Sequence, residues 1–199
     1  MRKGHFDAYR LGPSESVAKP IIDAPLDQQV RAVTHDGKRI LVSDAQADGT
    51  LLLTIAAMES PSKRTTVPIQ ASTIEELEFS PDDKWFAVQT TASGRNQIVV
   101  MPTDPSGAVV PITSDGGTYP RWAPTGSTLY YERDDQLIAV TYSTSSGRFT
   151  VSREDVLFKL GGHHLIDAAP DGRFLVMKAS PGQTPGIQVV VNWLSELKR

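Results

Sequence analysis

"SPDDKWFAVQT" occupies residues 80–90. A turn cluster stands before a short run of aromatic and β-branched residues, which reads as the start of a β-hairpin. The same sentence recurs as "THDGKRILVSD" (34–44), "APTGSTLYYER" (123–133) and "APDGRFLVMKA" (169–179). Aligned on Thr34, Ser80, Ala123 and Ala169, the copies are 46, 43 and 46 residues apart. A near-constant period in the forties marks an array of stacked units. The 15 Gly and 14 Pro are spread along the chain and the apolar runs are short, so the unit is built of strands.

Each unit reads as four strands, A to D. In the second they are "EELEF" (75–79), "WFAVQT" (85–90), "QIVVMP" (97–102) and "AVVPIT" (108–113). At its clearest the A–B turn is Ala-Pro-Asp-Gly (169–172). There Pro presets φ, Asp bonds nearby backbone and Gly accepts a positive φ. Val33, Phe79, Trp122 and Ala168 precede the four turns. Ile40, Phe86, Leu129 and Leu175 follow them, and Val42, Val88, Tyr131 and Met177 stand two further on. These period-2 columns are expected to fill the space between adjacent sheets. A single such sheet cannot bury its faces alone, but radial stacking can.

The expected fold is therefore all-β, a β-propeller or propeller arc of about four four-stranded blades in one domain spanning 1–199. Its units are 27–71, 72–115, 116–160 and 161–193. Leading strands, "FDAYRL" and "KPIID", fall within 6–23, and a short helical tail covers 192–199. Closure is open at this point. "KPIID" could supply the outer strand of the last blade, but "FDAYRL" then competes with "IQVVVNW" for one position. The chain reads equally as a closed four-bladed ring, a piece of a larger propeller, or one half of a homodimer joined through open blade edges.

The repeat resembles the PD-type propeller unit of the TolB family, periplasmic components of the Tol system, over about residues 6–193. Two turns depart from it: "THDG" lacks the Pro and "APTG" lacks the Asp. A narrower stretch, Pro120–Thr144 with Phe149–Phe158, Ile166–Lys178 and the closing "VVVNWLSELKR", looks like the C-terminal propeller of bacterial membrane-anchored Ser/Thr protein kinases. That resemblance implies a sensing or partner-holding module. No Gly-rich phosphate loop, His-Arg-Asp loop or Asp-Phe-Gly occurs in the chain, so no kinase residue carries over.

Net charge of −3 gives no reason to expect nucleic acid or an anionic membrane surface as partner. Absence of cysteine excludes disulfides and thiolate chemistry. No apolar h-region follows Met1–Lys3 and no run approaches the ~18 apolar residues of a spanning helix. The compartment is left undecided. No nucleophile elbow, His-Glu-x-x-His or EF-hand loop is present, and no cofactor is expected.

The D–A connections of a propeller gather around one mouth of its channel. Here that places Asp27, Gln28, Glu75, Asp115, Tyr119, His163 and His164 together as candidate ligand-binding residues. A protein or peptide partner is the leading expectation, with a small polar ligand as a second. A channel metal in a propeller hydrolase or lyase is the enzymatic alternative. Neighbouring strand residues point to opposite faces, so His163 and His164 are not expected to chelate one ion together. His35, the pairs Asp82–Asp83, Glu75–Glu76 and Asp134–Asp135, and the tail residue His5 read as solvated turn or terminal groups. Trp85, Trp122 and Trp193 read as packing between blades.

Overall fold

The computed structural model describes residues 8–22, 27–71, 74–104 and 107–178. The expected strand at 187–193, the tail at 192–199 and His5 lie outside the described residues. Every regular element among the described residues is a strand, and none of their segments is a helix long and apolar enough to cross a membrane.

A short pair, β1 (Tyr9–Arg10) and β2 (Lys19–Pro20), comes first. The first blade is β3 (Gln28–Val33), β4 (Arg39–Ala45), β5 (Leu51–Ala57) and β6 (Arg64–Ala71). The second is β7 (Ile74–Phe79), β8 (Trp85–Thr90), β9 (Gln97–Pro102) and β10 (Val110–Pro111). The third is β11 (Thr118–Trp122), β12 (Thr128–Arg133), β13 (Gln136–Ser143) and β14 (Thr150–Lys159). A final hairpin, β15 (His163–Ala168) and β16 (Phe174–Lys178), occupies the inner positions of a fourth blade. Among the described residues, the expected array of about four blades appears as three four-stranded antiparallel meanders, the inner hairpin of a fourth blade and a leading strand pair, each two-stranded part termed a half-blade below.

The core lies between the sheets. Phe79, Phe86 and Val88 of the second blade pack on Leu41, Leu53 and Ile55 of the first. From the opposite face of the second blade, Trp85, Ala87, Ile98 and Val100 meet Trp122, Leu129, Tyr131 and Phe149 of the third. Strand β8 is accordingly buried along its whole length. The half-blades are seated in the same way. Ala8 and Ile22 cover Ile40, Val42 and Ala56, while Leu165 and Phe174 pack on Leu137, Leu160 and Tyr130.

All four inner strands carry the same irregularity. Pairing with the second strand slips by one residue between Val30 and Ala32, Ile74 and Leu77, Thr118 and Arg121, and Leu165 and Asp167. A bulge of this kind bends the strand and frees backbone groups from the ladder.

Three of the expected inward residues are corrected. Val33 is 48% exposed, Leu175 59% and Met177 55%. For Val33 the reason is that β1–β2 covers only the second and third strands of the leading face. For Leu175 and Met177 it is register. The first three hairpins pair Val33 with Ile40, Phe79 with Phe86 and Trp122 with Leu129. The fourth closes one residue sooner and pairs Ala168 with Phe174. A one-residue slip exchanges the two faces of a strand. Phe174 therefore turns to the third blade, with its ring 5.0 Å from Tyr130 and 5.7 Å from Phe158, and Leu175 and Met177 face away.

Candidate functional site: the mouth of the inner strands

The N-terminal ends of β7, β11 and β15 come together at one end of the arc, and the bulges decide what they present. Tyr119 lies in the β11 bulge at φ 54°, a left-handed conformation unusual for a bulky residue. Its N–H, released from the ladder, donates to Gln89 Oε1 of the preceding blade at 2.9 Å. Gln89 is buried on β8, and its Nε2 donates to the Glu75 carboxylate. The next blade repeats the device. Buried Glu132 on β12 accepts the bulge N–H of Leu165, and its second oxygen lies 3.1 Å from His164 Nδ1. Gln89 and Glu132 hold the same repeat position, three residues after Phe86 and Leu129. Each fastens the following blade to its own.

These clasps bring Tyr119 and His164 side by side, with ring centroids 5.1 Å apart. Burial raises the Tyr119 phenol above its ordinary value, and the carboxylates of Glu132, Glu76 and Glu75 push it further the same way. Arg121 stands one turn of the pleat away and ties three blades together. Its guanidinium donates to Glu76 at 2.8 Å and to the Ile166 carbonyl at 2.6 Å. Glu78, below it, accepts the Trp122 N–H at 2.9 Å, while its carbonyl accepts the indole N–H at 3.0 Å. Burial dominates at Glu78 and raises its carboxyl despite that bond and nearby Arg121.

The seven expected mouth residues divide. Tyr119, His164 and Glu75 are joined through Gln89 and Glu132. Asp115 borders an adjoining cavity of about 240 Å³ with Arg95, Glu132, Arg133 and Asp134. His163 turns to its own loop, where Nδ1 lies 2.7 Å from the Leu160 carbonyl. Gln28 is not on the mouth surface. It is buried in the first blade and donates to Asp44 at 3.1 Å; Asp44 also accepts from Thr54 at 3.1 Å and from Arg64 at 2.5 Å. Asp27 meets that blade through its carbonyl, which accepts the Ala45 N–H at 2.9 Å. Among the described residues no group of three or more His, Asp or Glu is placed to hold a metal ion.

One expectation of a solvated group is corrected. Asp83 is buried against the first blade's turn, because its carboxylate accepts the N–H groups of His35 and Asp36 at 2.8 and 3.1 Å. Glu75 stays exposed and Glu76 half-buried while they accept from Gln89 and Arg121. The Trp expectation holds for Trp85 and Trp122; Trp193 lies outside the described residues. Sequence reasoning missed Gln89, Glu132 and Arg121. For Gln89 and Glu132 the available signal was a polar residue at a fixed column of otherwise apolar second strands; Arg121, on the inner strand β11, has no such column.

No family model and no curated protein matches the sequence. Solved structures do. A TolB protein of Agrobacterium tumefaciens aligns at TM-score 0.56 and 18% identity, over 77% of this chain and 58% of its own. TolB of Acinetobacter baumannii aligns at 0.56 and 16%, over 84% and 47%. A protein described as a 6-phosphogluconolactonase, from Bacteroides uniformis, aligns at 0.51 and 17%, over 86% and 57%. The chain spans about half the length of the structures it matches. With its bulged inner strands and interlocked blades, the fold is that of a TolB-like β-propeller, present here as an arc.

Proposed function

We propose that the protein is a non-catalytic binding module that holds a protein or peptide partner at the mouth formed by β7, β11 and β15. The observation that carries this reading is the Tyr119–His164 pair. Two partly exposed rings lie 5.1 Å apart on a frame fixed by buried Gln89 and Glu132. An aromatic pair locked by second-layer contacts loses little freedom when a partner packs against it, which favours binding. The surrounding polar groups are each engaged: Glu75 by Gln89, Glu76 by Arg121, and Glu132 by the Leu165 N–H and His164. They position the rings against which a partner can pack. On the resemblance of residues 120–144, 149–158, 166–178 and 189–199 to kinase-associated propellers, the same mouth would serve as the sensing face of a larger receptor.

The test is peptide-display selection on the intact chain, repeated with Tyr119→Ala and His164→Ala. Sequences enriched by the parent and lost with either variant, at unchanged circular dichroism, support the reading. Enrichment that ignores both substitutions places binding elsewhere and rejects it.

A further inference from the structure

The cavity of about 240 Å³ beside the aromatic pair lies between the second and third blades. It is continuous with the mouth. Glu132 lines it and also holds His164, and Thr118 lines it one residue before Tyr119. Both walls are fixed. On one side Gln97 Nε2 donates to the Ser114 carbonyl at 2.8 Å, and the Asn96 carbonyl accepts the Gly117 N–H at 3.1 Å. A Cβ on Gly117 would lie 2.9 Å from Thr113 and 3.0 Å from Ile98, so glycine lets this link lie close against the sheet. On the other side Asp135 anchors the turn that carries Asp134. Its carbonyl accepts the Leu160 N–H at 2.7 Å and its carboxylate the Gly162 N–H at 2.8 Å.

The charges of this region do not cancel. Arg121 is committed to Glu76 at 2.8 Å and Arg133 to Glu154 at 2.6 Å. Glu75 and Glu132 take bonds from neutral donors, the Gln89 amide and the Leu165 N–H, which satisfy oxygens without removing charge. Asp115 and Asp134 are exposed and, among the described residues, accept no hydrogen bond and form no ion pair. Of the cavity's described lining, Arg95 at the rim is the cation left to oppose them. The Tyr119 phenol stands in the same field: burial raises it most, and Glu132, Glu76 and Glu75 add to the rise.

From this balance we infer that the partner held at the mouth is a basic peptide, with a Lys or Arg side chain entering the cavity that Asp115 and Asp134 line and its neighbours packing on Tyr119 and His164. The inference rests on the mouth reading and names the partner's chemistry. A cation in the cavity gains charge-assisted bonds to the two aspartates. Adjacent aromatic faces favour the same sign of charge. An acidic segment meets uncancelled carboxylates and is repelled.

Peptides selected by display on the intact chain are synthesised and titrated by fluorescence anisotropy against the parent, Tyr119→Ala and the double variant Asp115→Ser/Asp134→Asn. Both aspartates are surface groups, and Asn accepts the left-handed backbone of position 134, where φ is 51°. Circular dichroism checks that the fold is kept. Peptides that depend on Tyr119 should carry Lys or Arg. Replacing that residue by Gln, or the two aspartates by Ser and Asn, should weaken binding about tenfold. Added salt should weaken the parent's binding more than the double variant's. Tyr119-dependent peptides without a basic residue, or with an affinity that ignores both aspartates, overturn the inference and leave the mouth reading standing. If no selected peptide depends on Tyr119, the mouth reading falls and the inference with it.

Discussion

Asp83 of the second blade's turn grips His35 of the first: one carboxylate oxygen lies 2.8 Å from both the His35 N–H nitrogen and its ring Nδ1. Asp83 stands where the other three turns place Gly37, Gly126 and Gly172, and it adopts their left-handed conformation at φ 56°. The unfavourable backbone is offset by bonds that glycine could not make. Burial alone would raise the Asp83 carboxyl. The donors of His35 and Asp36 outweigh it and hold the group below its ordinary value.

The sign of the pH effect follows. A depressed folded pKa gives stability that is complete above the unfolded value near 3.9 and is lost as pH falls through the folded value. Asp83→Asn should therefore lower the urea midpoint at pH 7 and flatten its acid dependence below about pH 4. Urea titrations of both proteins from pH 3 to 7 measure this; parallel curves would refute it.

Glu78 works in the opposite direction. Its carboxyl is raised by burial, so the folded state holds a proton that the unfolded state releases. Stability contributed by that proton is present below the ordinary glutamate value near 4.3 and declines as pH rises through the raised one. Glu78→Gln keeps an oxygen for the Trp122 N–H and removes the buried charge. The variant should match the parent near pH 4 and exceed it at pH 8 in thermal unfolding.

Gln89 carries a stability prediction that the mouth reading does not need. Gln89→Leu preserves bulk but strands the Tyr119 N–H and frees Glu75. Leaving one buried donor unsatisfied costs about 1–3 kcal/mol. Equilibrium denaturation gives the size, and amide exchange should show faster opening at the β8–β11 contact than within either blade.

Phe149 sits 5.4 Å from Trp85, 6.0 Å from Trp122 and 4.6 Å from Tyr142, at the centre of the interface between the second and third blades. Phe149→Ala should cost about 3–5 kcal/mol. Because both indoles border the cavity it leaves, tryptophan emission should shift to the red before global unfolding.

Much of the fold was legible from the repeat itself. The turn residues and the columns at Phe86, Leu129 and Phe79 are local signals, and the packed interfaces follow from them. The frame of the site was harder to see, because it depends on contacts between repeats. Tyr119 and His164 stood out as residue types, but Gln89 and Glu132 act only when a neighbouring bulge supplies an N–H to bind. Asp83 looked like an ordinary turn acid for the same reason: its partners lie 47 and 48 residues earlier. The register of β16 was hidden too, since "APDGRFLVMK" aligns with its sister hairpins without a gap.

In the first two turns a side-chain hydroxyl supports the longer hairpin closure. Thr34 Oγ1 accepts the Arg39 N–H at 2.9 Å and Ser80 Oγ accepts the Trp85 N–H at 3.0 Å, each pinning a hairpin that closes across six residues. Ala169 has no hydroxyl to offer, and its N–H bonds instead to the Arg173 carbonyl. Ala123 lacks the pin as well but keeps the longer closure, so the hydroxyl biases a choice that packing completes. In the fourth hairpin the bulk of Phe174 tips the balance toward the third blade. The array is thus punctuated by a side chain's absence. Three units repeat one phase, the fourth reads in the other, and the residues it turns outward, Leu175 and Met177, stand where its sisters hold their buried columns.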